Sequence, residues 1–229
     1  MSRTVLILAG GTTPSPQVLA ALPPAAMCIA ADSGIDHARH AGIVPDLAVG
    51  DFDSVSADGL QWADEHGVEL RRHPAAKAQT DLELALDHAL AAEPDHVVLA
   101  ALGGGRFDHL LANFALLADR RYASVRIDGL VGTAQVAVIH DERELVGRPD
   151  ELVSLLPTHG DVTGVTTDGL AYPLHDEPLL AGSSRGVSNY FLGSAASVAI
   201  SDGVLLAVQP HRLDPGTAAG IDPASPGGR

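Results

Sequence analysis

The chain has 229 residues, of which 46% are hydrophobic and 19% are charged, and its formal net charge is −15. This composition is typical of a globular protein rather than a disordered one, and the length allows one large domain or two modest ones. The strong negative charge argues against a nucleic-acid-binding surface, which requires a basic face. The single cysteine, Cys28, can form no disulfide within the chain, and no apolar run approaches the roughly 20 residues that cross a bilayer. We therefore expect a soluble, cytoplasmic protein.

Short apolar runs alternate with helix-like segments in the first half of the chain. The predicted strands are 4–10, 27–31, 46–50, 68–72, 97–102 and 124–129. The predicted helices between them are 16–23, 35–42, 60–67, 80–93 and 106–121. Because the strands are apolar on both faces, this alternation predicts a mostly parallel sheet with helices on both sides.

The fourth predicted helix has a clear start signal. Thr80 is followed three residues later by Glu83, which is the spacing of a capping box. Apolar residues then recur at helical intervals, as in Leu82 and Leu86. The pattern predicts that the helix starts at Thr80 and that Asp81 lies in its first turn.

The pattern changes near residue 133, after which no convincing amphipathic helix occurs. Short strand-like runs at 134–139, 151–157, 161–167, 194–200 and 203–209 are separated by Gly, Asp, Pro and Ser clusters. This spacing is typical of an antiparallel sandwich or barrel. We therefore predict an α/β domain over 1–132 with a mostly parallel, helix-flanked sheet, and a smaller all-β sandwich domain over 133–212. The Pro/Gly-rich tail, 213–229, is predicted to be disordered.

Polar residues collect where the predicted parallel strands end. In chain order they are Asp32, Ser33, Asp51, Asp53, Thr80, Asp81, the run Gly103–Gly105, Arg106, Asp108 and His109. Ligands of open parallel sheets bind outside the carboxyl ends of the strands. One such polar loop would be ordinary, but several at the same edge predict a binding site.

The acids in the segment GDFDS indicate what this site holds. If the segment is extended, Asp51 and Asp53 point the same way and Phe52 points to the core. With Asp81 they form an oxygen-only set that suits Mg²⁺ completed by substrate phosphates. The glycine run allows backbone N–H groups to approach phosphate, and Arg106 can clamp it. The sequence therefore predicts a metal–triphosphate site without a P-loop motif.

Each of these elements also has an ordinary structural explanation. An Asp after a strand is often a solvated turn residue, and an Asp in the first turn of a helix is favoured by the helix dipole. A glycine triplet is often only a flexible turn, and Lys77 can be a solvated loop charge. The prediction depends on their combination.

The order of motifs resembles that of the thiamine pyrophosphokinase family. The segments that carry the resemblance are AADSGIDHA (30–38), PDLAVGDFDSV (45–55), KAQTDLELAL (77–86), LGGGRFDHLLANF (102–114), TTDGLAYPL (166–174) and GVSNYF (186–191). The resemblance implies an N-terminal α/β domain, a C-terminal β-sandwich, and a homodimer with thiamine bound near the subunit interface. It also implies the reaction ATP + thiamine → AMP + thiamine diphosphate.

The resemblance also implies roles for individual residues. The Mg²⁺-binding and catalytic set is Asp51, Asp53 and Asp81, joined by Arg106 as a catalytic residue. ATP binding is implied for Asp32, Ser33, Lys77, Thr80, Gly104, Arg106, Asp108 and His109. Thiamine binding is implied for Tyr172, Ser188 and Asn189. Ala78 replaces an Asp common in relatives, which leaves the number of metal ions open, and the residue that accepts the hydroxyl proton is not assigned.

Two other functions are compatible with the acids and glycines. A related diphosphokinase acts on a hydroxymethyl-pterin, but the segments GLAYPL and GVSNYF favour thiamine as the acceptor. A nucleotide or thiamine sensor without turnover is the second alternative. A sensor has less need of all three acids of the predicted metal set, which counts against it.

Overall fold

The structure is a computed structural model that describes residues 3–104 and 106–214. Gly105 and most of the predicted tail, 215–229, lie outside the described residues. The described chain forms two compact units. The first contains the described residues up to Asn113 together with 125–132, and the second contains 114–124 and 133–214.

The first unit is built on a parallel sheet. Its strands are β1 (Thr4–Leu8), β2 (Met27–Ala31), β3 (Leu47–Gly50), β4 (Glu69–Arg72), β5 (His96–Ala100) and β6 (Arg126–Val131). Their order in the sheet is β6-β5-β1-β2-β3-β4, and each of these neighbouring pairs is parallel. Strands β1 and β5 are buried along their whole length, as expected for central parallel strands. The predicted parallel sheet is confirmed.

Among residues 3–104 and 106–214, five α-helices accompany these strands. They are α1 (Pro16–Ala21), α2 (Gly34–Ala41), α3 (Ala57–Glu65), α4 (Asp81–Ala91) and α5 (Phe107–Leu117). The predicted start of α4 is confirmed, because the Thr80 hydroxyl accepts a hydrogen bond from the Glu83 N–H at 3.2 Å. Within the described part of the chain, no helix combines the length and the apolar character needed to cross a membrane.

The second unit begins with the end of α5 and a short 3-10 helix, η1 (Arg120–Tyr122), and continues as strands. These are β7 (Ala134–Ile139), β8 (Glu142–Val146), β9 (Leu152–Pro157), β10 (Val162–Asp168), β11 (Glu177–Leu179), β12 (Asn189–Tyr190), β13 (Ala195–Ala199) and β14 (Leu205–Gln209). They pair antiparallel in the orders β12-β9-β14-β7 and β11-β10-β13-β8. Apolar side chains of both sets, such as Val153, Val165 and Leu205, share one core with Phe191. The predicted all-β sandwich is confirmed, although β8, β11 and β12 were not predicted.

Cys28 is buried in β2, where its N–H donates to the Asp46 carboxylate at 2.8 Å. Burial, with a smaller contribution from the negative charge of Asp46, raises the pKa of the thiol to about 12. Because the thiolate is the reactive form, we expect the folded protein to resist iodoacetamide at pH 8. Guanidinium-unfolded protein should take up one label per chain, as measured by mass spectrometry. Rapid labelling under native conditions would contradict this burial.

Candidate active site

A cavity of about 650 Å³ lies at the carboxyl ends of strands β1, β2, β3 and β5. The predicted site residues that line it are Asp32, Ser33, Asp51, Asp53, Lys77, Thr80, Asp81, Gly104, Arg106 and His109. Asp108 is not among the described residues that line the cavity. The structure therefore brings most of the residues implied for ATP and metal binding into one space.

Three carboxylates come closest together in this cavity. Asp32, Asp51 and Asp53 can each place one oxygen within 4.8 Å of the others. The Ser54 hydroxyl donates to Oδ2 of Asp32, but the described residues offer no hydrogen-bond partner to the buried Oδ1 of Asp32. A buried carboxylate oxygen without a partner is unfavourable unless a cation compensates it. This donor set therefore fits a hard divalent cation such as Mg²⁺.

The electrostatics of the cluster favour the same interpretation. The negative charge of Asp51 is the main cause that raises the pKa of Asp53, and burial and the charge of Asp32 contribute further. Like charges this close oppose ionisation of the whole set. A positive ion among the carboxylates would relieve that repulsion.

Lys77 connects this cluster to the start of α4. Its Nζ lies 3.0 Å from Oδ1 of Asp81 and 3.8 Å from Oδ2 of Asp51, and its side chain is only 13% exposed. Burial opposes the charged form, but the hydrogen bond with Asp81 and the charges of the surrounding acids outweigh it, so the pKa of Lys77 is raised. The ammonium group of Lys77 thus lies between the carboxylates of Asp81 and Asp51 and contacts both. The metal set Asp51, Asp53 and Asp81 stays a prediction, to which the structure adds Asp32.

The backbone of the GDFDS segment differs from the extended form assumed in the sequence analysis. Phe52 has φ of 62°, so the chain turns there, and the Asp53 N–H donates to Oδ1 of Asp51 at 3.2 Å. The assumption of an extended segment was wrong. Its two consequences still hold, because the carboxylates of Asp51 and Asp53 converge and Phe52 is buried, at 5% exposure, in an apolar cluster with Ile35 and Ala48.

Left-handed backbone recurs around the cavity. Asp32, Phe52 and Ala101 have φ values of 47°, 62° and 60°, and each lies just after a strand. Such conformations cost non-glycine residues roughly 1–3 kcal/mol each, and they concentrate at functional sites. This clustering supports the cavity as the functional site.

Two backbone segments form another wall of the cavity. The Gly11 N–H donates to the Ala101 carbonyl at 2.9 Å, and the Thr12 N–H donates to the Gly103 carbonyl. A Cβ at Gly11 would lie well inside 3.0 Å from both carbonyl oxygens. Glycine is required at position 11 by this close approach. Gly105, the last residue of the predicted phosphate loop, lies outside the described residues.

Arg106 and Asp108 bind each other at the exposed start of α5. The guanidinium donates to both carboxylate oxygens of Asp108, at 2.9 and 2.6 Å. This interaction holds the pKa of Asp108 well below its usual range and raises the pKa of Arg106. Because both side chains are largely exposed, Arg106 can exchange this partner for a phosphate with little loss of free energy.

The residues implied for thiamine binding lie in the second unit. The Tyr172 side chain is exposed, and its ring meets that of Tyr190 edge to face at 5.7 Å. Asn189 is buried, and its amide bonds both the N–H and the carbonyl of Tyr172, at 3.0 and 2.9 Å. Ser188 is exposed, has φ of 60° and donates its N–H to the Ser154 hydroxyl at 3.1 Å. Asn189 therefore fixes the backbone that presents Tyr172.

Among the described residues that line the cavity, three with polar side chains were not predicted as members of the site. Thr12 follows the glycines after β1, Ser54 donates to Asp32, and Asn113 on α5 donates to the Leu102 carbonyl at 3.2 Å. Ser54 lies inside the segment PDLAVGDFDSV (45–55) and Asn113 inside LGGGRFDHLLANF (102–114), so their position beside the acids and glycines was an available signal.

Two family models match the chain. Residues 20–127 match the model described as "Thiamin pyrophosphokinase, catalytic domain", and residues 138–205 match "Thiamin pyrophosphokinase, vitamin B1 binding domain". The thiamine pyrophosphokinase of Bacillus subtilis (strain 168) is 30% identical over 211 residues, which are 90% of this chain and 98% of that protein.

Solved structures show the same similarity. The crystal structure of the Bacillus subtilis thiamine pyrophosphokinase has a TM-score of 0.80 at 28% identity, covering 90% of this chain and 98% of that one. The enzyme from Geobacillus thermodenitrificans has a TM-score of 0.78 at 26% identity, covering 90% and 96%. Yeast thiamin pyrophosphokinase has a TM-score of 0.71 at 13% identity, covering 93% and 89%, which shows the shared fold alone.

Proposed function

The chain belongs to the thiamine pyrophosphokinase family, and we propose that its acidic cavity is where the diphosphoryl group of ATP passes to the thiamine hydroxyl, giving thiamine diphosphate and AMP. The observation that carries this proposal is the convergence of Asp32, Asp51 and Asp53 with Lys77 in one cavity. A triphosphate requires both a cation and positive side chains, and this cavity brings together carboxylates that suit a cation and the ammonium group of Lys77.

The acids of the cavity are the proposed Mg²⁺ site. Asp51, Asp53 and Asp81 would hold the ion as the family resemblance implies, with Asp32 as a further oxygen ligand. The buried, unpartnered Oδ1 of Asp32 and the raised pKa of Asp53 support this donor set. Bound Mg²⁺ supplies charge neutralisation at the phosphate oxygens.

Other residues of the cavity bind and orient the triphosphate. Lys77 and Arg106 place positive charge beside it, and Arg106 stabilises the transferred diphosphoryl group. The Gly104 backbone allows close approach of a phosphate, and Ser33, Thr80 and His109 complete the lining. Asp108 orients Arg106 until the phosphates arrive.

The reaction is an in-line displacement. The thiamine hydroxyl oxygen attacks the β-phosphorus of ATP, the bond from that phosphorus to the α-phosphate oxygen breaks, and AMP leaves. The hydroxyl proton passes to an aspartate of the cavity. Positioning of the two reactants and neutralisation of charge provide most of the acceleration in reactions of this class.

Thiamine is proposed to bind through Tyr172, Ser188 and Asn189. Thiamine carries a positive thiazolium ring, and an exposed aromatic face such as that of Tyr172 attracts cations. The match of 138–205 to the vitamin B1 binding model supports this assignment.

We further propose a homodimer with thiamine near the subunit interface, supported by large exposed hydrophobic side chains of the second unit such as Leu180 and Leu192. The proposed location is the cytoplasm, with which the free Cys28 is consistent.

Product analysis tests the proposed function. Enzyme incubated with ATP, Mg²⁺ and thiamine should yield AMP and thiamine diphosphate in equal amounts, measured by liquid chromatography with mass spectrometry. A parallel incubation with a hydroxymethyl-pterin should yield no AMP above background. AMP formed only with the pterin would identify the related diphosphokinase instead, and no AMP with either acceptor would support the sensor.

A further inference from the structure

Arg72 contacts the turn that carries the acid pair from outside the cavity. It is the last residue of β4, and in the sheet it pairs with Gly50, the residue that precedes the turn. Its Nη1 donates to the carbonyl oxygen of Asp51, and its guanidinium carbon lies 4.9 Å from the centroid of the Phe52 ring. Arg72 is not among the described residues that line the cavity. Its described contacts with the site therefore go through this turn.

The contacts of Arg72 fall on the atoms that set the shape of the turn. The carbonyl of Asp51 belongs to the peptide group that joins Asp51 to Phe52. Rotation of that peptide group changes ψ of Asp51 and φ of Phe52 together. A left-handed φ of 62° is uncommon for a bulky residue such as Phe52, so the surroundings must hold it. Arg72 fixes the peptide group at its oxygen and covers the ring of the residue that follows.

The direction of both carboxylates depends on this conformation. With the chain turned at Phe52, the Asp53 N–H donates to Oδ1 of Asp51, and both carboxylates have an oxygen within 4.8 Å of one of Asp32. We infer that Arg72 is a positioning residue, which holds the Asp51–Phe52–Asp53 turn in the form that makes the two acids converge. The inference rests on the proposed Mg²⁺ site, because it assigns that convergence to cation binding.

The direction in which Mn²⁺ affinity changes distinguishes a positioning role of Arg72 from a purely electrostatic one. The positive charge of Arg72 repels a cation. On electrostatic grounds alone, removing that charge would therefore make the acids bind a cation more tightly. Loss of the turn would make them bind it more weakly. In the substrate-free Arg72→Met enzyme, we expect the dissociation constant for Mn²⁺, followed by electron paramagnetic resonance, to rise about tenfold, the scale typical of groups that orient metal ligands. We expect kcat to fall by a similar factor while KM for thiamine is unchanged.

Arg71→Met is the matched control. Arg71 lies on the same strand, also carries hydrogen bonds, to Glu69 at 2.7 Å and to His88 at 2.9 Å, and its loss removes the same charge. Its Mn²⁺ affinity should equal that of the wild type or be slightly higher. Arg72→Lys keeps the charge, but one ammonium cannot bond the carbonyl and contact the Phe52 ring as the larger guanidinium does, so its Mn²⁺ affinity should fall by a smaller factor.

Asp53→Asn is measured alongside to separate the two proposals. If Asp53→Asn weakens Mn²⁺ binding while folded Arg72→Met binds Mn²⁺ as tightly as wild type or more tightly, the role of Arg72 is overturned and the metal site stands. If Asp53→Asn leaves Mn²⁺ binding unchanged, the metal site itself is overturned. Circular dichroism confirms that each variant is folded. Should Arg72→Met not fold, Arg72→Lys decides the question, with wild-type affinity as the overturning result.

Discussion

Replacing Asp53 by Asn is expected to slow diphosphoryl transfer by roughly 10²-fold or more, which corresponds to about 2.7 kcal/mol of transition-state stabilisation. The substitution keeps the size of the side chain and removes one negative charge from the group Asp32, Asp51 and Asp53. The negative charge that attracts the metal is reduced, and the amide N–H₂ of Asn repels a cation. Asp51→Asn should have a similar effect for the same reason.

The loss of activity should not come from unfolding. The charge of Asp51 raises the pKa of Asp53, so the ionised pair is mutually repulsive, and removing one charge should leave the melting temperature unchanged or higher. Steady-state rates and calorimetric melting curves check both statements. Asp64→Asn, at an exposed position of α3, is the matched control and should retain full activity. Near wild-type turnover of both Asp51→Asn and Asp53→Asn would rule out the metal site.

Gly11→Ala is expected to lower the free energy of unfolding by about 2 kcal/mol and to abolish most of the activity. The added Cβ overlaps the carbonyl oxygens of Ala101 and Gly103, which are backbone atoms and cannot rotate away. The two segments must separate, which weakens the hydrogen bonds from Gly11 to Ala101 and from Thr12 to Gly103. The wall of the cavity that includes Gly104 moves with them. Urea unfolding followed by circular dichroism, which reports on the helices and strands of both units, measures the change.

Gly193→Ala is the control for this substitution. A Cβ at Gly193 meets no atom within 4 Å, so its stability should stay within about 0.5 kcal/mol of wild type. If Gly11→Ala were equally silent in stability and in rate, the close approach of the two segments could not be important for the site.

The sequence predicts the parallel sheet well because strands that are buried on both faces are continuous apolar runs. The apolar run 27–31 coincides with β2, and Thr80 marks the start of α4 as its hydrogen bond shows. The edge of the sheet at which the site lies follows from strand direction alone. These features depend on local composition and can be seen without tertiary contacts.

The strands that were not predicted lack such an apolar run. Strand β8 reads ERELV, in which three of the five residues are charged, and its inward-facing Arg143 is buried with a hydrogen bond to the Val138 carbonyl at 3.2 Å. Strand β11 contains Pro178, and β12 has two residues. Their pairing is decided by neighbouring strands, which a single-sequence pattern does not report.

The details of the site also depend on tertiary contacts. Asp32 joins Asp51 and Asp53 because β2 and β3 pair in a register that places Ala31 opposite Val49. No sequence signal indicates that a phenylalanine at position 52 has a positive φ, since bulky residues rarely adopt one. The contact of Lys77 with Asp51 and that of Arg72 with the Asp51 carbonyl likewise join segments that are far apart in the chain.

The left-handed conformation of Ala101 has a consequence for engineering a more heat-resistant catalyst. An alanine side chain ends at Cβ, so this position shapes the cavity by its backbone and adds no reactive group. Glycine adopts the same conformation with less strain, and at this buried position it adds no polar group. Ala101→Gly is therefore expected to gain heat resistance while every charged group of the cavity is kept.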